Sequence, residues 1–149
     1  MHYKKKTPIE IETLSKKELD DLAVTLYNTV FSESIRCLRK KLRYSQIEFA
    51  GKIGIDNRTL QDYEQDIIIP RKSTVISICI KLNLPFALSE ALLSSLKYDL
   101  LRPSVENDFY LAILKEKNKK SICEYNDIIT KMNKKLPKRS RIHLLKDSE

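Results

Sequence analysis

The residues able to do chemistry in this 149-residue chain are few and scattered. Carboxylates, the groups used for general acid and base catalysis, stand side by side at Asp20 and Asp21 and one apart at Glu10 and Glu12. The imidazoles are His2 and His143, and the thiols are Cys37, Cys79 and Cys123. No histidine, glycine-rich phosphate loop or nucleophile motif accompanies the carboxylates, so they read as solvated charges. The three thiols are far apart, without C-x-x-C spacing or a histidine cluster, which argues against a zinc site or a disulfide framework. We therefore expect no enzyme, no cofactor and no metal, and thiols that serve as small apolar side chains in a reducing compartment.

One stretch, QIEFAGKIGIDNRTLQDYEQ at residues 46–65, has residue types at offsets that imply a defined arrangement. Two short helices that cross closely need a small residue at the crossing, and Ala50 stands there. The tight turn between them needs a residue that tolerates positive φ, supplied by Gly54. The side chains that clamp the pair to its domain should be apolar, as Phe49, Ile53, Ile55, Leu60 and Tyr63 are. Both glycines of the chain, Gly51 and Gly54, fall in this window.

The surrounding pattern supplies the elements that must hold such a pair. Ser15-x-x-Glu18 is a capping box opening a helix from about residue 16 towards 30, with Leu19, Leu22, Ala23, Leu26, Tyr27, Val30 and Phe31 on one face. An amphipathic stretch carrying Ile35, Leu38 and Leu42 follows. A second capping box, Ser45 with Glu48, opens the first motif helix, and Asp56 caps the second, about 57–65. Pro70 punctuates the loop before a helix with Val75, Ile78, Cys79 and Leu82. Past Pro85, Leu88, Leu92, Leu93 and Leu96 define a fifth helix. Arg102-Pro103 is a boundary. Beyond it, Ser104 and Ser121-x-x-Glu124 open two further helices, read as an antiparallel hairpin in which Phe109, Ala112 and Ile113 face Ile122, Tyr125, Ile128, Ile129 and Met132. Residues 1–14 read as an extended or disordered arm, and the basic tail from Lys134 as loose.

The stretch IRCLRKKLRYSQIEFAGKIGIDNRTLQDYEQDIIIP resembles the lambda-repressor and Cro-like helix-turn-helix family, often called the Xre family. Leu38-Arg39-Lys40, Ser45-Gln46-x-x-Phe49-Ala50, Gly54-Ile55, Tyr63-Glu64 and Pro70 recur in the family's order. Two positions depart from its pattern: Arg43 and Asp66 stand where glycine is usual. The resemblance implies an all-α fold, a five-helix lambda-repressor-like domain with an N-terminal helix and a C-terminal helical hairpin. It implies that the helix 57–65 enters the major groove of double-stranded DNA, with Asn57, Arg58 and Asp62 at base edges. Gln46, Thr59, Gln61, Arg71 and Lys72 would then meet the DNA backbone. Arg39 would pair with Glu64 as scaffold, as Ala50 and Gly54 serve the crossing and the turn.

The formal charge of +8 suits a polyanionic partner. Its distribution is uneven. Residues 33–85 hold 10 basic and 6 acidic residues, and residues 111–149 hold 11 and 5, whereas 86–110 hold 2 and 4 and are net acidic. The parts read as 1–32, arm and helix; 33–100, helix-turn-helix domain; and 101–149, hairpin and basic tail. The expected function is a cytoplasmic, sequence-specific transcriptional regulator acting as a homodimer, since one helix in one groove buries too little surface. Its dimer surface is the helix 86–98 or the hairpin 104–133. The alternative is a protein-interaction module or an antitoxin-type regulator whose C-terminal helices bind a partner protein. No membrane span is expected.

Overall fold

The computed structural model describes residues 7–146, and within them eight α-helices and no strand. They are α1 Lys16–Tyr27, α2 Phe31–Lys41, α3 Gln46–Ile53, α4 Asn57–Glu64, α5 Lys72–Lys81, α6 Phe86–Ser94, α7 Val105–Lys115 and α8 Ile122–Lys135. The fold is the all-α, lambda-repressor-like arrangement. Lys4, Lys5 and Lys6 of the arm, and residues 147–149, lie outside the described residues.

Local chemistry sets the helix starts. Ser15, Ser45 and Ser121 each close a complete capping box with Glu18, Glu48 and Glu124, and Asp56 accepts from the Thr59 amide at 2.6 Å. Gly54 ends α3 in the left-handed region at φ 73°. Arg43 and Asp66, the two positions where glycine is usual, take the same region at φ 64° and 60°. The turn geometry is therefore kept without the glycine, at a steric cost carried by packing on either side.

Helix α5 is the centre of the molecule. Every residue from Thr74 to Ile80 is buried, as an all-round apolar helix requires. It is surrounded by α3, α6, α7 and α8, while α1 lies along α6, and α2 packs on α4. The α2–α4 contact includes an edge-on ring pair, Phe31 and Tyr63, with centroids 5.9 Å apart.

Three expectations are corrected. Residues 8–14 are not a loose arm: Ile11–Thr13 form a 3-10 turn, Ile11 and Leu14 are buried, and the Ile9 amide donates to the Leu42 carbonyl at 3.0 Å. Helix α6 is not a free dimer surface, because Leu88, Ala91, Leu92 and Leu93 are all buried against its neighbours. In α7 the inward face is Asn107, Tyr110, Ile113 and Leu114, so Ala112 is exposed and Phe109 half-buried. The α7 and α8 helices each pack on α5, and α7 also on α6.

The basic tail is also tied down. Ile142 and Leu145 are buried, and two asparagines of α8 hold the extended chain by its backbone. Asn133 donates to the Ile142 carbonyl at 2.9 Å and accepts its amide at 2.8 Å; Asn126 does the same for Leu145 at 2.9 and 2.7 Å. From α7, the Tyr110 hydroxyl donates to the His143 carbonyl at 2.6 Å.

Candidate nucleic-acid interface

The second motif helix, α4, is fixed from its inner side. Leu60, Tyr63 and Glu64 are buried, and Glu64 is the joint at which three helices meet. Arg39 of α2 grips its carboxylate with two hydrogen bonds, Nε to Oε2 at 2.8 Å and Nη2 to Oε1 at 2.9 Å, and donates a third from Nη1 to the Tyr44 carbonyl at 3.1 Å. Gln46, the first residue of α3, donates to Glu64 Oε1 at 3.2 Å. Arg36, which the motif does not single out, donates to the Glu64 backbone carbonyl at 2.6 Å and so caps the end of α4. A buried carboxylate with this many cationic donors is compensated, and the geometry fixes where α4 points.

The outer side of α4 carries the polar residues. Arg58, on the first turn, has a side chain 82% exposed, and its Nε lies 3.3 Å from Asp62 Oδ1, one turn further on. Asp62 thus steadies Arg58 through the ε nitrogen and leaves the two terminal nitrogens, the pair that can meet guanine O6 and N7, directed outwards. Thr59 and Gln61 are both half-buried on the flanks. Asn57 is half-buried as well, and its Oδ1 is enclosed without a hydrogen-bond partner. Pairing both atoms of its amide with adenine would require the side chain to turn outwards first.

Beside α4 runs a groove lined by Thr59 and Tyr63, the loop Ile68–Arg71, Ser73 and Thr74 of α5, and Leu144 and Lys146 of the tail. Arg71 is exposed on its edge. Lys72 is not: its ammonium lies 2.8 Å from Glu106 Oε1 and 2.7 Å from Asn107 Oδ1 on α7, and 5.8 Å from the Tyr110 ring centroid. Its assignment as a phosphate contact is corrected accordingly, because an ammonium with these three partners is spent on docking α7. Glu106 also accepts from the His143 amide and lies 2.8 Å from its Nδ1. Burial alone would raise the Glu106 carboxyl, but the His143 and Lys72 contacts together outweigh it and hold its pKa below the ordinary value. Nothing in the sequence pattern marks this cluster.

Elsewhere, titratable groups read as structural. Cys79 is fully buried, and desolvation pushes its thiol up to about 12. Cys37 is half-buried and shifted the same way, chiefly by burial.

Compared with models of protein families, residues 35–88, from within α2 to the first turn of α6, match the family described as Helix-turn-helix. That segment is a DNA-binding helix-turn-helix domain of the Xre, lambda-repressor-like type. No curated protein and no solved structure matches the chain. Helices α1, α7 and α8 lie outside the matched segment. No described helix is long and apolar enough to cross a membrane.

Proposed function

We propose that this protein is a sequence-specific, non-enzymatic transcriptional regulator of the cytoplasm that reads the major groove with residues 57–65 as a homodimer. The observation that carries the reading is the two-sided build of α4. Its inner side is locked by Glu64 to Arg39 and Gln46, while its outer side presents Arg58, steadied by Asp62, to solvent. A rigid helix with an exposed, oriented arginine on its first turn is the arrangement that reads guanine in a groove. In this reading Asn57 joins after rotating outwards, Asp62 acts mainly by orienting Arg58, and Thr59, Gln61, Gln46 and Arg71 serve the backbone.

The second copy docks beside the reader. Ile67, Ile68 and Ile69 follow α4 after Gln65 and Asp66 and are 61%, 41% and 66% exposed, three consecutive apolar residues that a monomer gains nothing by showing to water. The alternative, a partner protein held by the C-terminal helices, finds less support. The tail already covers part of α8, and the exposed residues of that helix are polar apart from Cys123.

The test is selection of binding sites from random duplex DNA, followed by gel shifts with variants. Arg58→Ala should fold as the parent does and lose about 1–3 kcal/mol of preference at a single base pair. Arg71→Ala should weaken all duplexes alike and lower the salt slope by about one. A parent protein that enriches no sequence, or that binds no duplex even at low salt, would refute the proposal.

A further inference from the structure

We infer that the cleft between the end of α1, α6, the segment 98–101 and the C-terminal half of α7 is a binding site for a small organic cation with an apolar body. The cleft encloses about 210 Å³. A dry cavity of about 150 Å³ holds one benzene ring, so this one has room for an aromatic ring with a short ammonium arm. Leu93, Leu100, Leu111 and Leu114 line its interior, and Tyr27, Phe86 and Tyr98 supply aromatic surface.

Charge selects the occupant. The carboxylates of Glu90 and Asp99 both line the cleft. Glu90 accepts the Tyr27 hydroxyl at 2.5 Å, and Asp99 accepts the Leu101 amide at 2.9 Å. An ionised carboxylate has about four acceptor positions, so each keeps capacity for a further donor. These two residues belong to the stretch 86–110, the net acidic span of a chain with charge +8. The cleft's carboxylates thus contrast with the net basic segments 33–85 and 111–149 on either side: they suit a cation and oppose the phosphates that the basic surface attracts. Its walls already hold one such contact, since Lys115 Nζ lies 5.2 Å from the Phe86 ring centroid. At the mouth, Leu101 is 75% exposed, apolar surface that an occupant would cover.

The inference does not depend on the DNA reading, and its test uses the whole chain without DNA. Phenethylammonium and, separately, the matched anion 3-phenylpropionate are titrated while backbone amide resonances are recorded. The cation should shift Leu93, Leu100, Leu111 and Leu114 saturably and the anion should not. Glu90→Gln combined with Asp99→Asn should weaken the cation about tenfold, with the unfolding midpoint retained. Leu111→Trp, which fills the cleft, should abolish the response. Equal shifts from both probes, no saturation by about 10 mM, shifts confined to another face, or an unchanged affinity in the folded double variant would overturn it. So would shifts that track protein concentration instead of probe concentration, which would mean that a second copy fills the cleft.

Discussion

Glu64→Ala should be among the most destabilising single substitutions in this protein, and the reason is electrostatic. The Glu64 side chain is 2% exposed and that of Arg39 12%, so water screens neither. Removing the carboxylate leaves the Arg39 guanidinium in place with only the Tyr44 carbonyl as acceptor, and strands the Gln46 amide. Breaking a buried pair from one side costs about 3–5 kcal/mol, a large part of what a domain of this size has. Glu64→Gln keeps one acceptor oxygen and loses one charge-assisted bond, about 1.5–3 kcal/mol.

The decisive form is the cycle with Arg39→Ala, read as urea midpoints at unchanged slope. Both single changes destroy the same contact, so the double variant should be more stable than the sum of the two predicts, by about 2–3 kcal/mol. Replacing both partners with apolar residues, Arg39→Met with Glu64→Leu, should recover much of the stability, because no charge is then left buried. That variant should still lose operator preference, since nothing sets the direction of α4. Additivity within about 0.5 kcal/mol would refute the account, as would a recovered double variant that reads its operator normally.

Four further outcomes follow from local features. Arg43→Gly relieves a left-handed residue at φ 64° and should stabilise by about 1 kcal/mol, as should Gly51→Ala, whose added methyl meets nothing within 4 Å in the helix; thermal midpoints decide both. Ile68→Glu with Ile69→Glu should leave the unfolding curve intact and shift sedimentation to the monomer, and an unchanged mass would place the dimer elsewhere. The depressed Glu106 pKa contributes stability that is present above the ordinary value of 4.5 and lost as pH falls below it through the folded value. The stability gap between the parent and Glu106→Gln should therefore close as pH falls below 4.5, and a gap that widened would contradict the sign.

Features written in local offsets are legible in the sequence. The three capping boxes, the Asp56 cap and the Gly54 turn each depend on residues three or four apart, and helix periodicity finds all eight described helices, though it carries α1 on to Val30 and Phe31, which instead cap and open α2. The Arg39–Glu64 pair, 25 residues apart, is legible only through the family resemblance. Contacts of comparable reach without such a template escape the pattern. Lys72 looks free for phosphate in the sequence because its partner Asn107 lies 35 residues away, on a helix whose rotation the pattern does not fix. The tail looks loose because the asparagines that hold it bond to backbone, which leaves no trace in the identity of the residues held. Arg36 does carry a signal, since it stands three residues before Arg39 on the same face of α2.

The two proposed sites have a physical link in Tyr98. Its ring lines the cation cleft, and its hydroxyl donates to the Pro70 carbonyl at 2.9 Å, at the end of the loop that leaves α4. The same loop carries Ile67, Ile68 and Ile69, the proposed dimer face, and leads into Arg71 at the edge of the reading groove. A cation in the cleft alters DNA affinity only to the extent that it binds differently with the Tyr98–Pro70 bond made and broken. Tyr98→Phe removes that bond while keeping the aromatic wall, so it should leave cation affinity nearly unchanged and erase any effect of the cation on DNA. Linkage adds a check that needs no structural assumption: operator DNA must change the affinity for the cation by the same factor as the cation changes the affinity for DNA.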